Sequence, residues 1–105
     1  MIRMAQEYGY KLGSFRGYES SLHVSASPSL ENAEEFTVTV YYSLSSSDNV
    51  EIARIDTAHG YTHFDRLYRR DRLKDPVSWD WDEAEVHLRS NWRRYAERYD
   101  DVYGL

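Results

Sequence analysis

One stretch of the sequence, residues 54–70, concentrates the side chains that can move protons or hold a phosphate. Histidine titrates near neutral pH, so His59 and His63 can act as a general acid and a general base. Asp56 or Asp65 can orient a histidine and fix its tautomer. In RNA cleavage without a metal, one group removes the 2′-hydroxyl proton and another protonates the leaving oxygen. The stretch therefore predicts a metal-independent endoribonuclease centre built on His59, His63 and Asp56.

Arginines in the same stretch can bind the substrate. Arg54 and Arg66 can hold a phosphate and stabilise the charge that develops on it. Arg69 and Arg70 begin a basic run that can guide a nucleic-acid backbone. The competing interpretation is a polar hairpin turn, whose histidines cap backbone groups and whose Arg and Asp side chains form surface pairs.

A metal site is the second chemical option for this stretch. Two histidines four residues apart, with a nearby aspartate, can supply three ligands, but this spacing binds a metal readily only on a helix. Gly60 and the alternating pattern around it argue against a helix. We therefore predict neither a metal nor another cofactor.

The composition indicates a single domain over residues 1–105. Hydrophobic residues make up 41% of the chain and charged residues 30%, which suits one modest core. Cysteine is absent, which excludes disulfides and thiolate metal sites. The net charge of −5 argues against broad nucleic-acid affinity. No run is apolar enough to span a membrane or to form a signal-peptide core, so we expect a cytoplasmic protein.

The hydrophobic periodicity predicts the elements that must position these residues. Alternation between apolar and polar residues predicts strands, and apolar residues three and four apart predict a helix. The predicted strands are 7–12, 19–27, 35–44, 50–57 and 62–69, and the predicted helix is 80–102. Residues 1–18 are alternatively loosely ordered, and residues 69–76 are predicted as a charged connection. The order predicts an α+β fold, in which an antiparallel sheet of about four to five strands (residues 19–70) carries one long C-terminal helix on one face.

The register of the strand at 50–57 decides where the candidate site lies. By strict alternation Val50 and Ile52 share a face with Arg54 and Asp56, and a slip of one residue exchanges the faces. The sequence leaves this choice open. It also leaves open whether the two histidines converge.

The segment V-E-I-A-R-I-D-T-A-H-G-Y-T-H-F-D-R, followed by a C-terminal helix, resembles the TumE-type proteins of toxin–antitoxin pairs. It also resembles uncharacterised haloarchaeal proteins of similar size, and the few lysines, acidic charge and absent cysteine suit a salt-loving or high-GC source. Asp56, Gly60 and His63 match the family's aspartate, turn glycine and histidine. Asp65 stands where the family often has a second histidine. The resemblance implies a toxin that acts on RNA and a cognate antitoxin as partner.

A non-catalytic function is the alternative. Ten tyrosines favour a partly exposed sheet or a binding surface, because tyrosine joins a large apolar ring to a polar tip. The solvent side of the strand at 35–44, with Thr37, Thr39 and Tyr41, is the predicted binding face of such an interaction module. A homodimer is equally compatible with the sequence. Of the three tryptophans, Trp79 precedes the helix and is the one not needed for the predicted core.

Overall fold

The computed structural model of the chain describes residues 5–43, 49–57, 61–66 and 74–103. Within these ranges, six strands precede one helix: β1 (Gln6–Phe15), β2 (Tyr18–Pro28), β3 (Ala33–Ser43), β4 (Asn49–Asp56), β5 (His63–Arg66), β6 (Lys74–Pro76) and α1 (Trp81–Tyr103). Each strand pairs antiparallel with the next along the chain. The predicted α+β class with one C-terminal helix on the sheet is confirmed. The predicted four to five strands are wrong, because the described sheet has six.

The central strands bury one face and leave the other polar. In β2 and β3 the alternate apolar residues are fully or almost fully buried: Leu22, Val24, Ala26, Phe36, Val38, Val40 and Tyr42. Each large side chain buried in this way contributes about 1.5–3 kcal/mol. The opposite face, here called the outer face, carries Ser25 and Ser27 of β2 and Thr37 and Thr39 of β3.

The helix covers the apolar face of the sheet. At its start the Asp80 N–H donates to the Glu83 carboxylate over 3.3 Å, which is one half of a capping box, and the Glu83 N–H donates to Asp82. The side chains that it buries recur at intervals of three and four: Ala84, Leu88, Trp92, Tyr95 and Ala96. Among the described residues, no helix is long and apolar enough to cross a membrane.

A bulge in β4 settles the register that the sequence left open. Val40 lies opposite Ala53 and Tyr41 lies opposite Glu51, so Ile52 is an extra residue in the ladder. As a result Val50 does not share a face with Arg54. Ala53 and Ile55 point to the core, whereas Arg54 and Asp56 point to the outer face.

Both ends of the sheet extend further than the local pattern indicates. The strand β1 is ten residues long and pairs with β2, where loose order of residues 1–18 was the alternative. Tyr8 and Tyr10 also anchor it to α1, since both hydroxyls donate to the Glu85 carboxylate, over 2.6 and 2.7 Å. At the other edge, β6 lies inside the predicted connection 69–76. It is short and ends in Pro76. A proline is tolerated there because an edge strand has only one neighbouring strand to donate to.

Candidate functional site

The strand pairing places the predicted site residues side by side on the outer face. Asp56 of β4 lies between Thr37 of β3 and His63 of β5, and Ser25 continues the same row into β2. In the adjacent row Arg54 lies between Thr39 and Asp65. The bulge at Ile52 directs Arg54 and Asp56 of β4 to this face. The fold therefore joins an arginine, a histidine and two aspartates that come from two strands.

His63 is held tightly inside this cluster. Its ring is 0% exposed, and its Nε2 lies 2.7 Å from Oδ1 of Asp56. Its Nδ1 lies 3.3 Å from the carbonyl oxygen of Tyr61, whose ring also packs against it. Both neighbours are hydrogen-bond acceptors. A neutral imidazole has one N–H and matches one of them, whereas the imidazolium matches both.

Arg54 is surrounded by carboxylates. Its guanidinium forms ion pairs with Glu51 at 3.2 Å, Asp56 at 3.0 Å and Asp65 at 3.3 Å. One positive charge thus faces three negative ones, and a phosphate would have to compete with all three. Arg54 is therefore better placed to hold Asp56 and Asp65 than to hold a substrate phosphate.

Arg66 lies on the other side of the sheet. It follows His63 by three positions, so the alternation of β5 directs it to the helix side with Phe64. Its guanidinium lies 4.4 Å from the centroid of the Phe64 ring and pairs with Asp75. The structure therefore separates Arg66 from the cluster around Asp56.

Three other predicted site residues, His59, Arg69 and Arg70, lie outside the described residues. Of the predicted set, the structure brings together Arg54, Asp56 and His63. Asp65, which the sequence offered as an alternative partner for a histidine, forms an ion pair with Arg54.

A cleft of about 630 Å³ opens beside Asp56 on the outer face, and we call it the acidic cleft. Its described lining residues are Ser25, Ser27, Glu34, Glu35, Phe36, Thr37, Asp56, Thr57, Tyr61 and Thr62. Three of these carry carboxylates, and none is lysine or arginine. A cleft lined by one sign of charge attracts the opposite sign. The arrangement therefore favours a cationic ligand over a phosphate.

The sequence did not indicate Glu34, Glu35 or Tyr61 as site residues. The start of β3 meets the end of β4 through Thr57, whose N–H donates to the Phe36 carbonyl over 3.1 Å. The Phe36 N–H in turn donates to the Thr57 hydroxyl over 3.0 Å. The structure begins β3 at Ala33, which pairs with Pro28 of β2, so Glu34 belongs to this strand and precedes the predicted start at 35. A predicted strand that began at 33 instead of 35 would have included Glu34 together with Glu35.

Comparison with known proteins identifies a family for the chain but no individual relative. No curated protein and no solved structure matches it. The resemblance to TumE-type toxins therefore stays a prediction. A family model described as "Domain of unknown function (DUF7718)" matches residues 4–104, which is nearly the full sequence. The chain belongs to this DUF7718 family.

Proposed function

We propose that the protein is a protein-interaction module whose outer sheet face binds a positively charged segment of a partner. The observation that carries this proposal is the acidic cleft beside Asp56, with three carboxylates and no lysine or arginine among its described lining residues. Arg54, the cation next to it, is already paired with three carboxylates. The net charge of −5 adds long-range attraction for a basic partner.

The partner expected from the resemblance is a cognate antitoxin. Its binding segment would place a lysine or arginine in the cleft, near Glu34 and Asp56. Charge-assisted hydrogen bonds to carboxylates are the strong class of such contacts. Small polar side chains such as Ser25 and Thr37 leave room for the chain of the partner. A second copy of the protein, itself acidic, fits this cleft less well.

The test uses a peptide of known sequence, Gly-Arg-Arg-Gly with blocked ends, and its counterpart Gly-Glu-Glu-Gly. We expect the basic peptide to shift the NMR amide signals of Thr37, Thr57 and Thr62, and the acidic peptide to leave them unchanged. Glu34→Lys should weaken the binding of the basic peptide several-fold, because it reverses one exposed charge at the cleft. Glu97→Lys makes the same charge change on the exposed side of α1 and should leave binding unchanged. Equal effects of the two variants, or no shifts at the cleft, would contradict the proposal.

A second candidate function is the metal-independent endoribonuclease. The 2.7 Å contact between Asp56 and His63 at the edge of the cleft favours it, because a carboxylate that holds an imidazole is a common part of acid–base centres. In this candidate His59 supplies the second proton-transferring group, and Arg54 holds Asp56 in place. His63 has no exposed surface, so it would have to gain access to the substrate.

The endoribonuclease is tested by incubating a mixed RNA pool with the protein, with and without EDTA. Cleavage that resists EDTA and is lost in His59→Ala and in His63→Gln would support it. His23→Ala is the matched control, since this partly exposed histidine lies on the same sheet face, in β2. Circular dichroism shows whether each variant is folded. Cleavage that survives both changes, or no cleavage by the wild type, would leave the interaction module as the proposal.

A further inference from the structure

A second groove lies on the helix side of the molecule, and we call it the Trp79 groove. It has a volume of about 550 Å³ and is lined by Trp79, Asp82, Glu83, Val86, His87, Ser90 and Asn91. It shares no described lining residue with the acidic cleft. Val86, in the second turn of α1, is 50% exposed, which is high for a large apolar side chain.

The aromatic wall of the groove is fixed by its own contacts. The rings of Trp79 and His87 stack with centroids 4.5 Å apart and planes 28° apart. His87 Nε2 lies 2.6 Å from the hydroxyl of Tyr95, and Phe64 packs against both stacked rings. Burial lowers the pKa of His87, and the nearby arginines 66 and 94 lower it further. The ring is therefore neutral at neutral pH and adds no positive charge to the wall.

The rim of the groove is acidic. Asp80, Asp82 and Glu83 are exposed, and one carboxylate oxygen of each lies within 4.8 Å of the others. Glu83 accepts the N–H of Asp80, and Asp82 accepts the N–H of Glu83 over 2.9 Å. No lysine, arginine or histidine of the described chain pairs with these three carboxylates. The backbone N–H groups and the positive end of the helix dipole offset part of this negative charge, and the rim stays acidic because three carboxylates share it.

We propose that the Trp79 groove binds an arginine side chain of a partner protein. The aliphatic part of the arginine would lie on Val86 and Trp79, and its guanidinium would reach Asp82 and Glu83. Arginine suits both parts of the groove, because its aliphatic stem covers apolar surface while its guanidinium donates two parallel hydrogen bonds to a carboxylate. Lysine offers only a point charge on its stem. This inference rests on the groove alone and does not depend on the function proposed for the outer face.

The test titrates the protein with Nα-acetyl-arginine amide and with its neutral isostere, Nα-acetyl-citrulline amide. The readout is the NMR signal of the Trp79 indole N–H, identified by its loss in Trp79→Phe. We expect the arginine compound to shift this signal and the amide of Asn91 at concentrations about three- to tenfold lower than citrulline requires, since the guanidinium charge is the main difference.

The matched variants are Asp82→Asn and Asp101→Asn. Asp82→Asn removes one charge from the rim and keeps both an acceptor for the Glu83 N–H and the Asp80–Glu83 hydrogen bond, so we expect arginine binding to weaken by a similar factor. Asp101→Asn removes an exposed charge near the other end of α1 and should change nothing. Equal binding of arginine and citrulline, an unaffected Asp82→Asn variant, or shifts confined to the acidic cleft would overturn the proposal.

Discussion

The pairing of Asp56 with His63 and Arg54 makes Asp56→Asn the most informative single substitution. Asparagine keeps the size of the side chain but removes the charge, and its carbonyl oxygen can accept from Arg54 or from His63 while its NH₂ group faces the other. Loss of one partner in a buried ion pair costs about 3–5 kcal/mol. Arg54 is 29% exposed and keeps Glu51 and Asp65, so we expect a loss below that range, about 2–3 kcal/mol.

Urea unfolding followed by tryptophan fluorescence measures this loss directly. A loss of about 2–3 kcal/mol is a large share of the stability of a domain of this size, and it lowers the melting temperature by about 8–15 °C. Glu51→Gln is the control: its carboxylate also pairs with Arg54 but is 47% exposed, so we expect about 0.5 kcal/mol or less. If Asp56→Asn were no more destabilising than Glu51→Gln, the cluster would not be a coupled buried network.

Three further predictions concern other parts of the fold. Gly13→Ala should cost about 1–2 kcal/mol in urea unfolding, because Gly13 has φ +150° and its new Cβ would lie 3.2 Å from the Trp92 ring. Tyr8→Phe removes a hydroxyl whose pKa is raised by burial and by its hydrogen bond to Glu85, and should cost about 1 kcal/mol. Because the pKa of His87 is lower in the folded protein, the unfolded chain binds a proton at this histidine first as the pH falls. The free energy of unfolding should therefore decrease as the pH drops below about 6.5. His87→Gln should reduce the difference between unfolding curves measured near pH 7.5 and pH 5.5.

The elements that the sequence predicts well are those in which one face is buried along the whole length. The alternation in β3 and the stripe from Ala84 to Ala96 on α1 both report directly which side meets the core. The register of β4 could not be predicted, because its bulge falls between two apolar residues, Ile52 and Ala53, and either can point inward. The three residues of β6 carry no pattern of their own, and their pairing with β5 makes them a strand.

The candidate site was predicted in part for similar reasons. Arg54, Asp56 and His63 come together because adjacent antiparallel strands bring their alternate residues side by side. The alternation also placed Arg66 on the opposite side from His63, so including both in one site conflicted with the predicted strand. The sequence could not predict that three carboxylates surround Arg54, because its contacts with Glu51 and Asp65 depend on the bulge and on the pairing of β5.

The sheet order has a consequence for how the protein is made. Every described strand pairs with the next one along the chain, so each hairpin can close as soon as its second strand leaves the ribosome. The apolar face of the sheet stays uncovered for longer, because α1, which covers it, follows all the described strands in the sequence. At about 5–20 residues per second, the 23 residues of α1 take roughly one to five seconds to synthesise. Until α1 has left the ribosome, the strands that have already paired present an uncovered apolar face, which is the stage at which chaperone binding or aggregation would act.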